Sequence, residues 1–170
     1  FSMGGYVALE VLRQAPDRVE RIALLDTSSR ADTPEKAAGR EAAIADCEGD
    51  RFDDLLDRFV PQLLHPNRHE DPLFGRVRAM GERVGPDLFA DRHRAMQTRS
   101  DSRELLQGTN IPVRAIVGRS DALTSVEEHQ EIADLAPRGR LSIVEDCGHM
   151  PPLERPQAAT ALLRDWLLHD

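Results

Sequence analysis

Long apolar runs are missing from this chain. No stretch of its 170 residues approaches the roughly twenty consecutive apolar positions that a bilayer-spanning helix requires, so no membrane partner is expected. Positive charge is also short, with 22 Lys and Arg against 30 Asp and Glu and a formal net charge of −8, which excludes the basic footprint of a nucleic-acid binder. Lysine is almost absent, Lys36 being the single example, a compositional habit to which no function attaches. Cysteine is limited to Cys47 and Cys147, too few and too far apart for a disulfide framework. They read as two reduced thiols of an intracellular, cytoplasmic protein. The chain opens without Met, so a leader ahead of Phe1 stays open. No metal-ligand cluster is present: His65 and His69 have helical spacing, but Pro66 and Asn67 lie between them and nothing around them supports zinc. No metal or organic cofactor is expected.

Strand-forming segments are scarce as well. One domain is expected from the length, yet only three short apolar runs read as buried strands: Arg21 to Asp26, Ile111 to Gly118 and Leu141 to Asp146. Each ends in a polar cluster, and helical patterns separate them, which predicts an α/β architecture with parallel strands and flanking helices.

The richest stretch is the first. Phe1-Ser2-Met3-Gly4-Gly5 precedes an apolar helical run from Tyr6 to Leu12. It reads as a nucleophile elbow, a tight strand-to-helix turn in which small residues two places either side of a serine let strand and helix approach. Gly4 is the downstream small residue, and the upstream one would fall before Phe1. The two later strands deliver Gly118-Arg119-Ser120-Asp121 and Cys147-Gly148-His149 to their C-terminal ends, the edge where open α/β sheets place their chemistry. Asp26, at the end of the first strand, is a rival acid to Asp121, and accepting hydrogen bonds from turn amides is its more ordinary role.

Between residues 33 and 105 the character changes to polar helices without strands. Thr33-Pro34 opens one helix as N-cap and first residue. Phe52, Leu55, Leu56, Phe59, Val60, Leu63 and Leu64 mark an amphipathic second helix, which Pro61 is expected to kink. Asp71-Pro72 opens a third, and Gly85-Pro86 separates it from a fourth carrying Leu88, Phe89, His93 and Met96. Four short helices between two strands suggest a cap (33–105) over a core made of 1–32 and 106–170. Ser102 is expected to cap a short helix, Ser125 the helix through Leu135, and a last helix to cover the sheet with Leu162, Leu163, Trp166 and Leu167.

Phe-Ser-Met-Gly-Gly, Gly-Arg-Ser-Asp and Cys-Gly-His-Met-Pro-Pro-Leu-Glu-Arg-Pro, in that order, resemble the α/β-hydrolase superfamily, and within it small bacterial esterases and enol-lactonase-like members. The resemblance implies the C-terminal part of that fold, from the elbow onward with the N-terminal half missing, and a helical cap. It implies Ser2 as nucleophile, His149 as general base, Asp121 as the acid that orients it and the Met3 N–H as an oxyanion-hole donor. A second donor would come from a loop outside this sequence, so the chain by itself is expected to be inactive. The substrate implied is a small-molecule ester or lactone. The same residues also suit a cofactor-free perhydrolase or acyltransferase, and a hydrolase-like binding module without chemistry is the non-enzymatic alternative. Phe1, where carbon–carbon bond hydrolases of the superfamily have Asn, disfavours that activity. Serine in place of aspartate disfavours dehalogenases and epoxide hydrolases.

Overall fold

The computed structural model describes residues 1–170. Strands β1 (Ile22–Leu25), β2 (Val113–Gly118) and β3 (Gly139–Val144) form one sheet in the order β1-β2-β3. Both pairings are parallel, with Leu24 opposite Ala115 and Ala115 opposite Leu141. Every residue of the central strand β2 is buried, as expected of a parallel strand covered on both faces.

The period-two alternation of the strands sorts the core into two layers. Ile22, Leu24, Val113 and Ala115 face helices α1 (Met3–Gln14), α5 (Arg103–Gly108) and α6 (Val126–Leu135), which contribute Leu9, Leu106 and Ile132. Leu25, Ile116 and Val144 face the other way with Cys147, against Leu162 and Leu163 of α8 (Pro156–His169), which follows the one-turn α7 (Pro151–Glu154). Arg114 is the polar exception inside β2, and it is fully paired. Its guanidinium donates to Asp170 at 2.8 Å and to Asp165 at 3.0 Å.

Helices α2 (Pro34–Glu48), α3 (Phe52–Leu63) and α4 (Pro72–Gln97) lie between β1 and β2 in the chain and have apolar contacts of their own. Ala43, Cys47, Leu55 and Ala90 make one cluster; Leu56, Val60, Leu64 and Val77 make another, which reaches the rest of the molecule through Met150. No helix is long and apolar enough to cross a membrane.

Several local expectations are met. Thr33 accepts from the Lys36 N–H, and Ser125 and Glu128 form a reciprocal capping box. Gly85-Pro86 separates two helical arms within α4, as expected, for Gly85 takes φ 74° and ψ 163°, outside the helical region. Others change. Pro61 sits in the last turn of α3, too late to split it. Ser102 makes no capping bond; its hydroxyl accepts from Arg13 instead. Leu167 is 57% exposed and does not cover the sheet. β1 and β3 stop short of Asp26 and Asp146, which turn the chain out of the sheet at φ 44° and 48°, a region short Asx side chains tolerate.

Candidate active site

Ser2 sits at a backbone conformation, φ 49° and ψ −124°, that costs a non-glycine residue about 1–3 kcal/mol. Its neighbours leave it no alternative. The Ser2 N–H donates to the Leu25 carbonyl at 2.9 Å, and the Ser2 carbonyl accepts from the Gly5 N–H and the Thr27 hydroxyl, each at 2.8 Å. The tight approach of α1 to the end of β1 falls at Gly5, not at Gly4 as the elbow pattern suggests. A Cβ on Gly5 would meet Thr27 Oγ1 at 2.4 Å, whereas one on Gly4 would meet nothing. Met3 opens α1, and its N–H has no acceptor within the chain.

Asp121 lies in the turn after β2. Its Oδ1 accepts from the N–H groups of Leu123 and Thr124, and its Oδ2 from the Thr124 hydroxyl at 2.5 Å. His149 lies in the loop after β3, which comes close because Gly118 has no side chain: a Cβ there would sit 1.9 Å from the Gly148 carbonyl oxygen. The three side chains meet in a line. His149 Nδ1 is 2.9 Å from Asp121 Oδ2, and His149 Nε2 is 2.9 Å from Ser2 Oγ. Burial by itself raises the Asp121 carboxyl, but the hydrogen bond and charge of His149, with the donors from Thr124 and Leu123, outweigh it and hold the group below its ordinary value. An ionised Asp121 only accepts, so Nδ1 carries the proton and Nε2 offers its lone pair to the Ser2 hydroxyl.

Asp26 stands beside this line, close enough that ligand-type atoms of Asp26, Asp121 and His149 lie within 4.8 Å of one another. It does not bond to the imidazole. Its Oδ1 accepts from the Gly118 N–H at 2.9 Å, the ordinary amide-accepting role expected of it. Burial, partly offset by that hydrogen bond and reinforced by the charges of Asp121 and Glu154, pushes Asp26 up to about 9. A neutral carboxyl and an imidazole already engaged on both nitrogens make a poor donor set for a cation.

Three further residues, Glu154, His129 and Arg99, support the surroundings of this line. Glu154, whose side chain is fully buried, accepts from the N–H groups on both sides of His149, Gly148 at 2.9 Å and Met150 at 3.1 Å. Its other oxygen accepts from the His65 N–H at 2.8 Å, while the His149 N–H donates to the Leu63 carbonyl at 3.2 Å. The histidine loop is thereby tied to the end of α3. His129, fully buried and held neutral by burial, donates through Nδ1 to the Ser125 carbonyl and accepts from the Thr27 N–H. It fixes the chain after β1 to α6. The Arg99 side chain is 7% exposed, packs over the Tyr6 ring at 4.3 Å and pairs with Asp32, whereas Asp101 pairs with Arg103 away from the site. His65 and His69 form no cluster; His65 Nδ1 accepts from the nearby Asn67 N–H.

A cavity of about 520 Å³ opens onto Ser2 and His149, walled by the 122–124 turn and by α2, α3 and α4. A smaller one of about 370 Å³, between α1 and the end of α4, reaches neither residue.

This geometry accompanies a match of residues 1–162 to the alpha/beta hydrolase family. The chain belongs to that family. Among its relatives, this α/β-hydrolase chain is 32% identical over 187 residues to the pimeloyl-[acyl-carrier protein] methyl ester esterase of Aromatoleum aromaticum, covering 97% of this chain and 71% of the relative. It superposes on a thermophilic esterase from Thermogutta terrifontis with a TM-score of 0.91 at 30% identity, covering 98% of this chain and 62% of the esterase. The enol-lactonase of Burkholderia xenovorans shares the fold at 24% identity, with a TM-score of 0.85 over 98% of this chain and 63% of its own. The chain thus spans somewhat less than two thirds of the solved structures it matches.

Proposed function

We propose that this α/β-hydrolase chain carries the acyl-transfer centre of a serine hydrolase that cleaves a small carboxylic ester or lactone. The observation behind the reading is the Ser2–His149–Asp121 line, 2.9 Å at each link, at the mouth of the larger cavity. As Ser2 Oγ attacks the ester carbonyl, its proton passes to His149 Nε2, and Asp121 stabilises the imidazolium that forms. The oxyanion develops next to the unpartnered Met3 N–H at the start of α1, where the helix dipole also favours negative charge. The proton then goes to the leaving alkoxide. Water, deprotonated by His149, releases the acid from the acyl-Ser2 ester. With Met3 as the one oxyanion donor identified, turnover by the chain alone is expected to run about 100- to 1000-fold below that of a two-donor site.

We read α2 to α4 as the cap (33–105) over a core formed by 1–32 and 106–170. Ester cleavage is the first reading, supported by relatives named as a pimeloyl-[acyl-carrier protein] methyl ester esterase and a thermophilic esterase. Acyl transfer to peroxide is the second reading, favoured by a relative named as a putative non-heme bromoperoxidase of Mycobacterium tuberculosis, 27% identical over 171 residues. Covalent labelling with a reactive fluorophosphonate and peptide mapping test the centre. Label on Ser2 that disappears in His149→Ala supports it; a folded chain that takes no label even after an exposure about 1000-fold longer than a two-donor site needs overturns it. Competition between water and peroxide for a common acyl donor separates the two readings.

A further inference from the structure

The walls of the larger cavity are unlike the rest of the molecule. In a chain of net charge −8, three of the four Asp, Glu, Lys and Arg side chains lining the cavity are cationic: Lys36, Arg40 and Arg58 against Asp46. Lys36 pairs with Glu128 and Arg58 with Asp46, and these cations are 39% and 58% exposed, where water screens them. Arg40 is only 14% exposed and shares its partner. Asp32 accepts from Arg40 Nε and Nη2, and it also takes Arg99 Nη1 at 2.6 Å. Two guanidinium groups on one carboxylate leave a positive charge without a counter-ion in a place water hardly reaches. Arg40 Nη1 finds only the thioether of Met96, at 3.3 Å, a weak acceptor.

His93 supplies a second unsatisfied group. Phe89, His93 and Met96 share one face of α4 and all line the cavity. The imidazole stacks on Phe89 with ring centroids 4.7 Å apart, and its Nδ1 is buried with no hydrogen-bond partner. Burial and then the charge of Arg40 bring His93 down to about 4, so the ring is neutral and has one N–H to place. Buried polar groups of this kind are normally satisfied. A negatively charged, planar acceptor in the cavity would supply the counter-ion that Arg40 shares, beside the neutral ring of His93.

We propose that Arg40 and His93 form a carboxylate-binding subsite, and that the substrates are monoesters of dicarboxylic acids, whose free carboxylate seats there while the ester lies at Ser2. This rests on the ester-hydrolase reading and adds the substrate class to it.

The test is binding rather than turnover. Titration calorimetry on Ser2→Ala compares monomethyl esters of succinate through suberate with neutral methyl esters of the same chain lengths. The best monomethyl ester should bind about 10-fold or more tightly than its neutral counterpart. Arg40→Met should erase that preference, read as the ratio of the two affinities within the variant, and His93→Phe, which keeps the stack on Phe89, should reduce it. Arg40→Lys retains the charge and keeps the measurement meaningful if Arg40→Met fails to fold. Equal affinity for the two series, or a preference that survives Arg40→Met, overturns the subsite. Fluorophosphonate labelling of the parent reports on hydrolysis separately. Carboxylate preference without label supports the subsite and overturns the hydrolase; label without preference does the reverse.

Discussion

Replacing Asp26 by asparagine should change how the stability of the chain depends on pH. Asp26 is fully buried, its Oδ1 is held by the Gly118 N–H, its Oδ2 has no partner, and its carboxyl is pushed from an ordinary 3.8 to about 9. Burial is the largest cause, and the neighbouring Asp121 adds to it. Between those two values the unfolded chain has released this proton and the folded chain has kept it. Stability contributed by this group therefore falls as pH rises, by about 1.4 kcal/mol per pH unit. Asparagine keeps the oxygen that accepts from Gly118, presents an amide where the protonated acid stands, and does not titrate. From pH 5.5 to 7.5 the stability of Asp26→Asn relative to the parent should thus rise by about 2.7 kcal/mol. Urea unfolding of both proteins at three pH values, followed by circular dichroism, measures it, since titrations common to the two cancel in the difference. A difference that does not change with pH would mean that Asp26 is ionised in the folded chain and that the reasoning is wrong.

Asp121→Asn should leave Ser2 in place but offer His149 Nδ1 the wrong partner, slowing fluorophosphonate labelling of Ser2 by about 10⁴-fold. Glu154→Gln can serve either the Gly148 and Met150 amides or the His65 amide, not both sides, and should cost about 1–3 kcal/mol in denaturant unfolding. It should also lower the labelling rate while the cavity ligand affinities stay unchanged. Gly118→Ala forces a Cβ against the Gly148 carbonyl, with an expected loss of about 3 kcal/mol or more and a displaced His149 loop, read as a fall in melting temperature together with lost labelling.

The residues that meet at the cavity mouth were legible because each follows a local pattern: Ser2 between an apolar start and glycines, Asp121 and His149 just beyond apolar runs that parallel strands require. Helix starts at Thr33 and Ser125 were legible for the same reason, since capping chemistry is confined to four residues. Elements whose meaning depends on distant partners were not. Glu154 is one acidic residue among many until folding brings the amides of His65, Gly148 and Met150 around it. The stripe of Phe89, His93 and Met96 follows from helical spacing, but the shared counter-ion of Arg40 depends on Asp32 and Arg99, far apart in the chain. Asp26 and Asp121 look alike as strand-end acids. What separates them is which one reaches the imidazole: Asp121 does, while Asp26 accepts from the Gly118 N–H.

The hydrogen bond from the His149 N–H to the Leu63 carbonyl, with Glu154 bracing the same loop against His65, has a consequence for entry into the cavity. Any swing of α3 away from the sheet drags the imidazole out of line with Ser2. A ligand that enters the cavity with this tie intact therefore finds α3 as a fixed wall, and the helix that lines the cavity also sets where the imidazole stands.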